Sequence, residues 1–170
     1  MRMTEVKKRV ISLLVDNTAG VTQRVSGLFS RRGYNIESIT GGETADPRYS
    51  RITVVAEGDD DVLEQITKQL RKLVDVVDLK VLDPDNSVTR ELVLVKIRVS
   101  PEQRQSVVTL SDVFRGKIVD VGQDSLIVEL TGNHDKLEAF LRLLSGYEIL
   151  ELARTGFTGL SRGSDDVRFF

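Results

Sequence analysis

Short apolar runs alternate with helical patterns along the first half of the chain. The run RVISLLV, Arg9 to Val15, is rich in branched residues and ends at turn-forming residues, which predicts a buried strand. Apolar residues then recur on one face at helical spacing, at Val21, Val25, Leu28 and Phe29. Gly33 follows two arginines and suits a helix C-cap. The pattern therefore predicts a strand and a helix joined by the polar segment DNTAG, residues 16–20.

Two more strands, a second helix and a fourth strand are predicted after this helix. Ile36 to Thr40 and Ser50 to Glu57 have strand composition, and the glycines and the Asp-Pro pair between them indicate a hairpin with a long loop. Three acids at 59–61 mark a helix start, and the apolar residues after them keep helical spacing. The run VVDLKVL, Val76 to Leu82, then completes the order βαββαβ.

The second half repeats this order after a polar segment. DPDNSV, Asp83 to Val88, has linker composition, so we expect a first domain at 1–82, a linker at 83–89 and a second domain at 90–170. A strand, a helix that opens with Ser100 and Pro101, a hairpin, a second helix and a last strand follow. The fold class predicted is α+β, with two tandem ferredoxin-like βαββαβ domains. Each should form a four-stranded antiparallel sheet with two helices on one face.

Composition and charge exclude several classes of function. The 24 Lys and Arg residues against 26 Asp and Glu give a net charge of -2, which offers no general attraction for nucleic acids. The predicted first and third strands lack the aromatic residues on which an RNA recognition motif stacks bases. No apolar run is long enough to cross a membrane, and the start MRMTEVKKRV lacks the apolar region of a secretory signal. We therefore expect a cytoplasmic protein without nucleic-acid or membrane partners.

The residue inventory also argues against catalysis and metal binding. The chain has no cysteine and one histidine, His134, which lies among polar residues at an apparent helix start. The acids at 59–61 are consecutive, so they cannot all face one ion and instead suit a helix N-terminus. No phosphate-binding glycine motif is present. We expect no catalytic residue, no metal site and no cofactor on this chain.

The segment DNTAG is the one place where the pattern offers a binding geometry. It joins a strand to a helix, so backbone N–H groups of the first helical turn are free to bind an anion such as a carboxylate. Asn17 and Asn35 could add amide groups, and Gly20 permits close approach to the backbone. In the simpler alternative, Asn17 caps the helix and Asn35 occupies the turn after Gly33. The residues alone favour that alternative.

A family resemblance changes this interpretation. The segments that carry it lie in order between Lys8 and Gly163: DNTAGVTQRVSGLFSRRGYNIESI, SRITVV, LEQITKQLRKLVDV, RELVLVKI, FRGKIVDV, TGNHDKLEAFL and GLSRG. Together they resemble the small, regulatory subunit of acetolactate synthase (acetohydroxyacid synthase). The first half is similar to an ACT domain, a ferredoxin-like module that binds amino acids.

The resemblance implies a binding site shared by two chains. In this family two ACT domains pair edge to edge, and valine lies at their interface between the loop of one chain and the second strand of the other. The residues that correspond to this site are Asn17, Ala19, Gly20 and Val21 from one chain, with Asn35 and Ile36 from its partner, and Asn17 and Asn35 match the family's motif as they stand. Ala19 stands where relatives can carry serine, so we expect backbone contacts at this position.

The resemblance further implies a non-catalytic regulatory subunit. Such a chain activates a large catalytic subunit and confers feedback inhibition by valine in the biosynthesis of valine, isoleucine and leucine. The thiamine diphosphate, magnesium and FAD of the reaction belong to that large subunit, and this chain forms a homodimer through its ACT domains. The alternative is a free-standing ACT-type amino-acid sensor that regulates a different enzyme.

Overall fold

The structure, a computed structural model, describes residues 5–164 of the 170. These residues form two compact units, one of residues 5–88 with 157–164 and the other of residues 89–156. The domain limits expected from the sequence (1–82, 83–89 and 90–170) stay a prediction. Residues 157–164 group with the first unit although they follow the second in the sequence.

From residue 5, where the described part begins, the first part of the chain forms four strands and two helices. In chain order these are β1 (Lys7–Asp16), α1 (Val21–Arg32), β2 (Asn35–Glu43), β3 (Tyr49–Gly58), α2 (Asp60–Arg71) and β4 (Val76–Val81). A single 3₁₀ turn, Pro84–Asn86, follows within the predicted linker. Every one of these strands and helices overlaps the segment that the hydrophobic pattern predicts.

The remainder of the described chain, up to residue 164, forms five strands and two helices. They are β5 (Ser87–Arg98), α3 (Pro101–Val113), β6 (Lys117–Val121), β7 (Ser125–Gly132), α4 (His134–Leu143), β8 (Glu148–Arg154) and β9 (Thr158–Ser161). The sequence pattern does not predict β9, because its four residues, TGLS, contain only one large apolar side chain.

Both sheets are antiparallel, and their strand orders correspond. The first sheet has the order β2-β3-β1-β4, so β2 and β4 are its edges. The second sheet has the order β6-β7-β5-β8, and β9 pairs with β5 as a fifth strand. The predicted α+β class with two ferredoxin-like βαββαβ domains is confirmed.

Helices α1 and α2 pack on one face of the first sheet. Alternate residues of the central strands face them, and the core that results contains Ile11, Leu13, Val15, Val21, Val25, Phe29, Ile52, Val54, Ile66 and Leu70. Burial of each large side chain contributes about 1.5 to 3 kcal/mol. The intervening residues of β1, Ser12 and Leu14, face the helix-free side of the sheet.

The second unit has a core of the same kind. Alternate residues of β5 and β7 meet α3 and α4, and the buried set includes Val93, Val95, Ile97, Val107, Leu126, Val128, Leu137 and Phe140. Phe114 and Phe140 pack edge to face with ring centroids 5.4 Å apart. The apolar residues at helical spacing are thus the ones that α3 and α4 bury against the sheet, which is why their spacing predicts both helices.

The four α-helices found within residues 5–164 differ in how they begin. Side chains of Asp59, Ser100 and Asn133 accept hydrogen bonds from the first-turn N–H groups of α2, α3 and α4. The acids at 59–61 therefore serve the start of α2, as the sequence predicts. Helix α1 starts after Gly20, and no side chain in the described part of the chain caps it.

Candidate functional site

The loop between β1 and α1, residues 16–20, is held at fixed points by backbone hydrogen bonds. The N–H of Asp16 donates to the carbonyl of Asp75 (2.9 Å), and the N–H of Asn17 donates to the carbonyl of Arg48 (2.8 Å). The N–H of Thr18 donates back to the carbonyl of Asp16 (3.0 Å). The loop is thus fixed both to the start of β4 and to the loop that joins β2 to β3.

The side chain of Asn17 faces the β2–β3 connection. Its Nδ2 donates to the carbonyl of Pro47 (2.9 Å) and to Oε1 of Glu43 (3.2 Å), and its Oδ1 accepts from the Ser50 hydroxyl (3.0 Å). Asn17 does not cap α1, because the N-cap position belongs to Gly20. The alternative interpretation of Asn17 as a helix cap is therefore wrong.

Gly20 sets the geometry at the start of α1. Its φ of 85° lies in the left-handed region, which turns the chain into the helix. Ala19 is exposed, whereas the side chain of Val21 is buried in the first core. At this end of the site, Val21 can therefore contribute its backbone N–H and not its isopropyl group. The uncapped first turn of α1 offers backbone donors and the positive end of the helix dipole.

Asn35 and Ile36 are the first two residues of the edge strand β2. Nδ2 of Asn35 donates to Oε2 of Glu57 (3.2 Å), and Ile36 is half-buried against the first core. Asn35 is the register partner of Glu57 on β3, while the other end of β2 pairs with Ser50. Seven residues along a strand span roughly 23 Å. One chain therefore does not bring Asn35 and Asn17 together.

A cavity of about 510 Å³ lies on the helix-free side of the first sheet. Residues 158 and 160–163 line one part of it, and the floor includes Ser12 and Leu14. Nη1 of Arg51, which also lines the cavity, donates to the Ser12 hydroxyl (2.7 Å). The lining carries both signs of charge: Arg51, Lys80 and Arg162 with Glu43 and Asp78. None of the six residues predicted to bind an effector lines this cavity.

An ion pair between α1 and the start of β4 lies beside the loop. Nε of Arg24 donates to Oδ2 of Asp75 (2.6 Å) and Nη2 donates to Oδ1 (2.9 Å). The Asp75 side chain is 11% exposed and that of Arg24 is 48% exposed. The hydrogen bond from Arg24 lowers the pKa of Asp75, and the same bond raises the pKa of Arg24. The sequence pattern does not indicate this pair, because its members are 51 positions apart.

Residues 5–164 contain no group of three or more His, Asp or Glu residues placed to hold a metal ion. His134 is exposed at the first position of α4, as expected from its context. No helix in the described range is long and apolar enough to cross a membrane.

Comparisons with known proteins place both halves of the chain in one family. Residues 11–78 match the family described as "AHAS small subunit-like ACT domain", and residues 90–163 match "Small subunit of acetolactate synthase". A Methanothermobacter thermautotrophicus protein named "Probable acetolactate synthase small subunit" is 52% identical over 161 residues, which cover 94% of this chain and 96% of that protein. The acetolactate synthase isozyme 3 small subunit of Salmonella typhimurium is 48% identical over 162 residues, covering 95% and 99% of the two chains.

A solved structure agrees with these sequence matches. The crystal structure of the acetolactate synthase small subunit from Thermotoga maritima superimposes with a TM-score of 0.86 at 44% identity. The match covers 93% of this chain and 99% of that one. The family resemblance described from the sequence is thereby confirmed.

Proposed function

Because this chain belongs to the family of acetolactate synthase small subunits, we propose that it is the regulatory subunit of a separate large catalytic subunit. It activates that subunit and confers feedback inhibition by valine. The thiamine diphosphate, magnesium and FAD of the reaction belong to the large subunit. The observation that supports this proposal is that the similar proteins are named as small subunits of acetolactate synthase.

The start of α1 supports a carboxylate site in the first unit. Valine's carboxylate would accept hydrogen bonds from the uncapped N–H groups at Gly20 and Val21, where the helix dipole favours negative charge. Oδ1 of Asn17 accepts one hydrogen bond from Ser50 and keeps a second lone pair, which could accept from valine's ammonium group. Ala19 is exposed and leaves the backbone of the loop accessible.

The edge position of β2 supports completion of the site by a second chain. A two-fold axis that pairs two copies of β2 makes the strands antiparallel, so the Asn35 end of one strand approaches the Glu43 end of the other. Glu43 already contacts Asn17. Asn35 and Ile36 of the second chain would therefore lie near the loop of the first, and the half-buried Ile36 would supply apolar contact for the isopropyl group of valine.

Regulation requires valine to favour one arrangement of the paired subunits. Coupling energies of about 1 to 3 kcal/mol change affinity or activity 5- to 150-fold. Binding linkage is reciprocal. The large subunit should therefore change the affinity of this chain for valine by the same factor by which valine changes the affinity of this chain for the large subunit. Equal valine affinities with and without the large subunit would exclude coupling through association.

The test uses the full chain reconstituted with its large subunit. Asn17→Ala and Asn35→Ala should each weaken valine inhibition while activation of the large subunit persists. Gln105→Ala, an exposed change on α3, is the matched control and should leave inhibition unchanged. Unchanged valine sensitivity in both asparagine variants would overturn the site. Failure to copurify with a large catalytic subunit would instead favour an ACT-type sensor of another enzyme.

A further inference from the structure

Asp75 contacts both ends of the segment that runs from the end of β1 into the first part of α1. Its backbone carbonyl accepts the N–H of Asp16 (2.9 Å), where β1 ends. Its carboxylate accepts two hydrogen bonds from Arg24 in the first part of α1 (2.6 and 2.9 Å). One nearly buried residue at the start of β4 therefore fixes the segment between Asp16 and Arg24 at its two ends.

The guanidinium of Arg24 also lies against the backbone at the helix start. A Cβ atom placed on Gly20 would lie 2.9 Å from Nη1 of Arg24. Nε and Nη2 are the nitrogens that bind Asp75, so the ion pair determines where Nη1 lies. A bidentate pair fixes the plane of the guanidinium as well as its distance. The position of the first turn of α1 thus depends on the pair.

We propose that Arg24 and Asp75 are positioning residues for the effector site, which set its affinity by holding the loop at residues 16–20 and the start of α1 in one arrangement. The inference rests on the proposed function, because it concerns the same site. The pair acts through the loop and the helix start. Neither residue is one of those matched to the valine site.

A purely electrostatic role for the pair predicts that the two substitutions change valine affinity in opposite directions. Loss of the Arg24 charge would then weaken the binding of a carboxylate, and loss of the Asp75 charge would strengthen it. Loss of a fixed loop geometry affects every hydrogen bond to the ligand. Under positioning, both substitutions therefore weaken binding.

The experiment measures valine binding by calorimetry on the full-length chain carrying Arg24→Gln, Asp75→Asn or both. Each single variant should weaken valine binding about tenfold, within the range of known coupling energies. The double variant should be no weaker than either single variant, because the two residues act as one unit. Arg24→Lys should recover only part of the loss, since lysine cannot form the bidentate contact.

The control is a matched ion pair in the second unit. Arg154 binds the buried Glu91 through Nε and Nη2 (2.9 and 3.0 Å), the same geometry as the pair in the first unit. Glu91→Gln should destabilise the chain, although Arg154 keeps its contact with Glu138 (2.8 Å), and should leave valine affinity unchanged. This comparison separates a loss of affinity from a general loss of stability.

Each outcome decides the inference. Tighter valine binding by Asp75→Asn, or unchanged binding by both single variants, would overturn it. Additive losses in the double variant would also overturn it, because independent residues do not form a positioning unit. Absence of valine binding by the unmodified chain, alone and with its large subunit, would instead refute the proposed function on which the inference rests.

Discussion

Asn17 and Asn35 lie at opposite ends of the first sheet, since Asn17 bonds to Ser50 at one end of β3 and Asn35 to Glu57 at the other. Roughly 23 Å of strand separates these two positions. A ligand the size of valine cannot touch both side chains of one chain. If both residues bind valine, a second chain must supply one of them.

This separation predicts complementation between two variants that each bind valine weakly. Asn17→Ala and Asn35→Ala homodimers should each bind valine weakly, because every site in them lacks one asparagine. A mixed dimer should recover one intact site, formed by the unmodified loop of one chain and the unmodified β2 of the other. Calorimetry on mixed dimers isolated with two affinity tags should therefore show one tight valine site per dimer. Mixed dimers that bind no valine tightly would contradict a shared site.

Gly20→Ala should destabilise the chain by about 1 to 2 kcal/mol, the cost of placing a residue with a Cβ atom in the left-handed region. Urea unfolding gives this value directly. Gly33→Ala also places a Cβ atom in the left-handed region, but that atom meets no neighbour within 4 Å. The difference in unfolding free energy between Gly20→Ala and Gly33→Ala therefore measures the contact with Arg24. Gly146→Ala, where a Cβ atom meets nothing within 4 Å and φ is not positive, should be near neutral.

Ser100→Ala should destabilise the second unit by about 1 kcal/mol, because it removes the side-chain cap of α3. The hydroxyl of Ser100 accepts from the N–H of Gln103 (3.3 Å), and Gln103 accepts from the N–H of Ser100 in return (3.0 Å). Ser106→Ala, an exposed change within the same helix, should be neutral or slightly stabilising. Equal effects of the two substitutions on thermal unfolding would exclude a capping contribution.

The ion pair beside the loop predicts a dependence on acid pH. The pKa of Asp75 lies below its ordinary value of 3.8, mainly because of the hydrogen bond from Arg24. A lowered pKa means that the ionised form stabilises the folded chain at any pH above that ordinary value, and that this contribution disappears as pH falls through the folded pKa. The stability difference between the unmodified chain and Asp75→Asn should therefore be constant near neutral pH and shrink below about pH 4. A difference independent of pH would contradict the assignment.

The fold could be predicted because its elements follow local periodicity. Val21, Val25, Leu28 and Phe29 recur at helical spacing, and all four are buried in the structure. Strand β9 has no such signal, since Leu160 is its one large apolar residue and is itself exposed. It forms because a partner strand distant in the sequence is available, and a periodicity argument does not detect partners of that kind.

The candidate site likewise has a part that the local sequence predicts and a part that depends on long-range contacts. The loop at residues 16–20 has a local signature, a polar segment between a strand and a helix. The hydrogen-bond partners of Asn17 come from the β2–β3 connection, at positions 43, 47 and 50, so residue type alone suggested a helix cap instead. The approach of Arg24 to Asp75 depends on where β4 begins in the folded sheet. Long-range placement of this kind becomes visible only in the structure.

The first unit is discontinuous in sequence, because residues 89–156 lie between its two parts. During synthesis, residues 5–88 emerge before the second unit, and residues 157–164 emerge after it. The wall that residues 158 and 160–163 contribute to the helix-free side of the first sheet is thus made only after the second unit. Although domains generally fold in order from the N-terminus, this unit completes its contacts only after its neighbour has been translated. A fragment cut at the linker would never complete them.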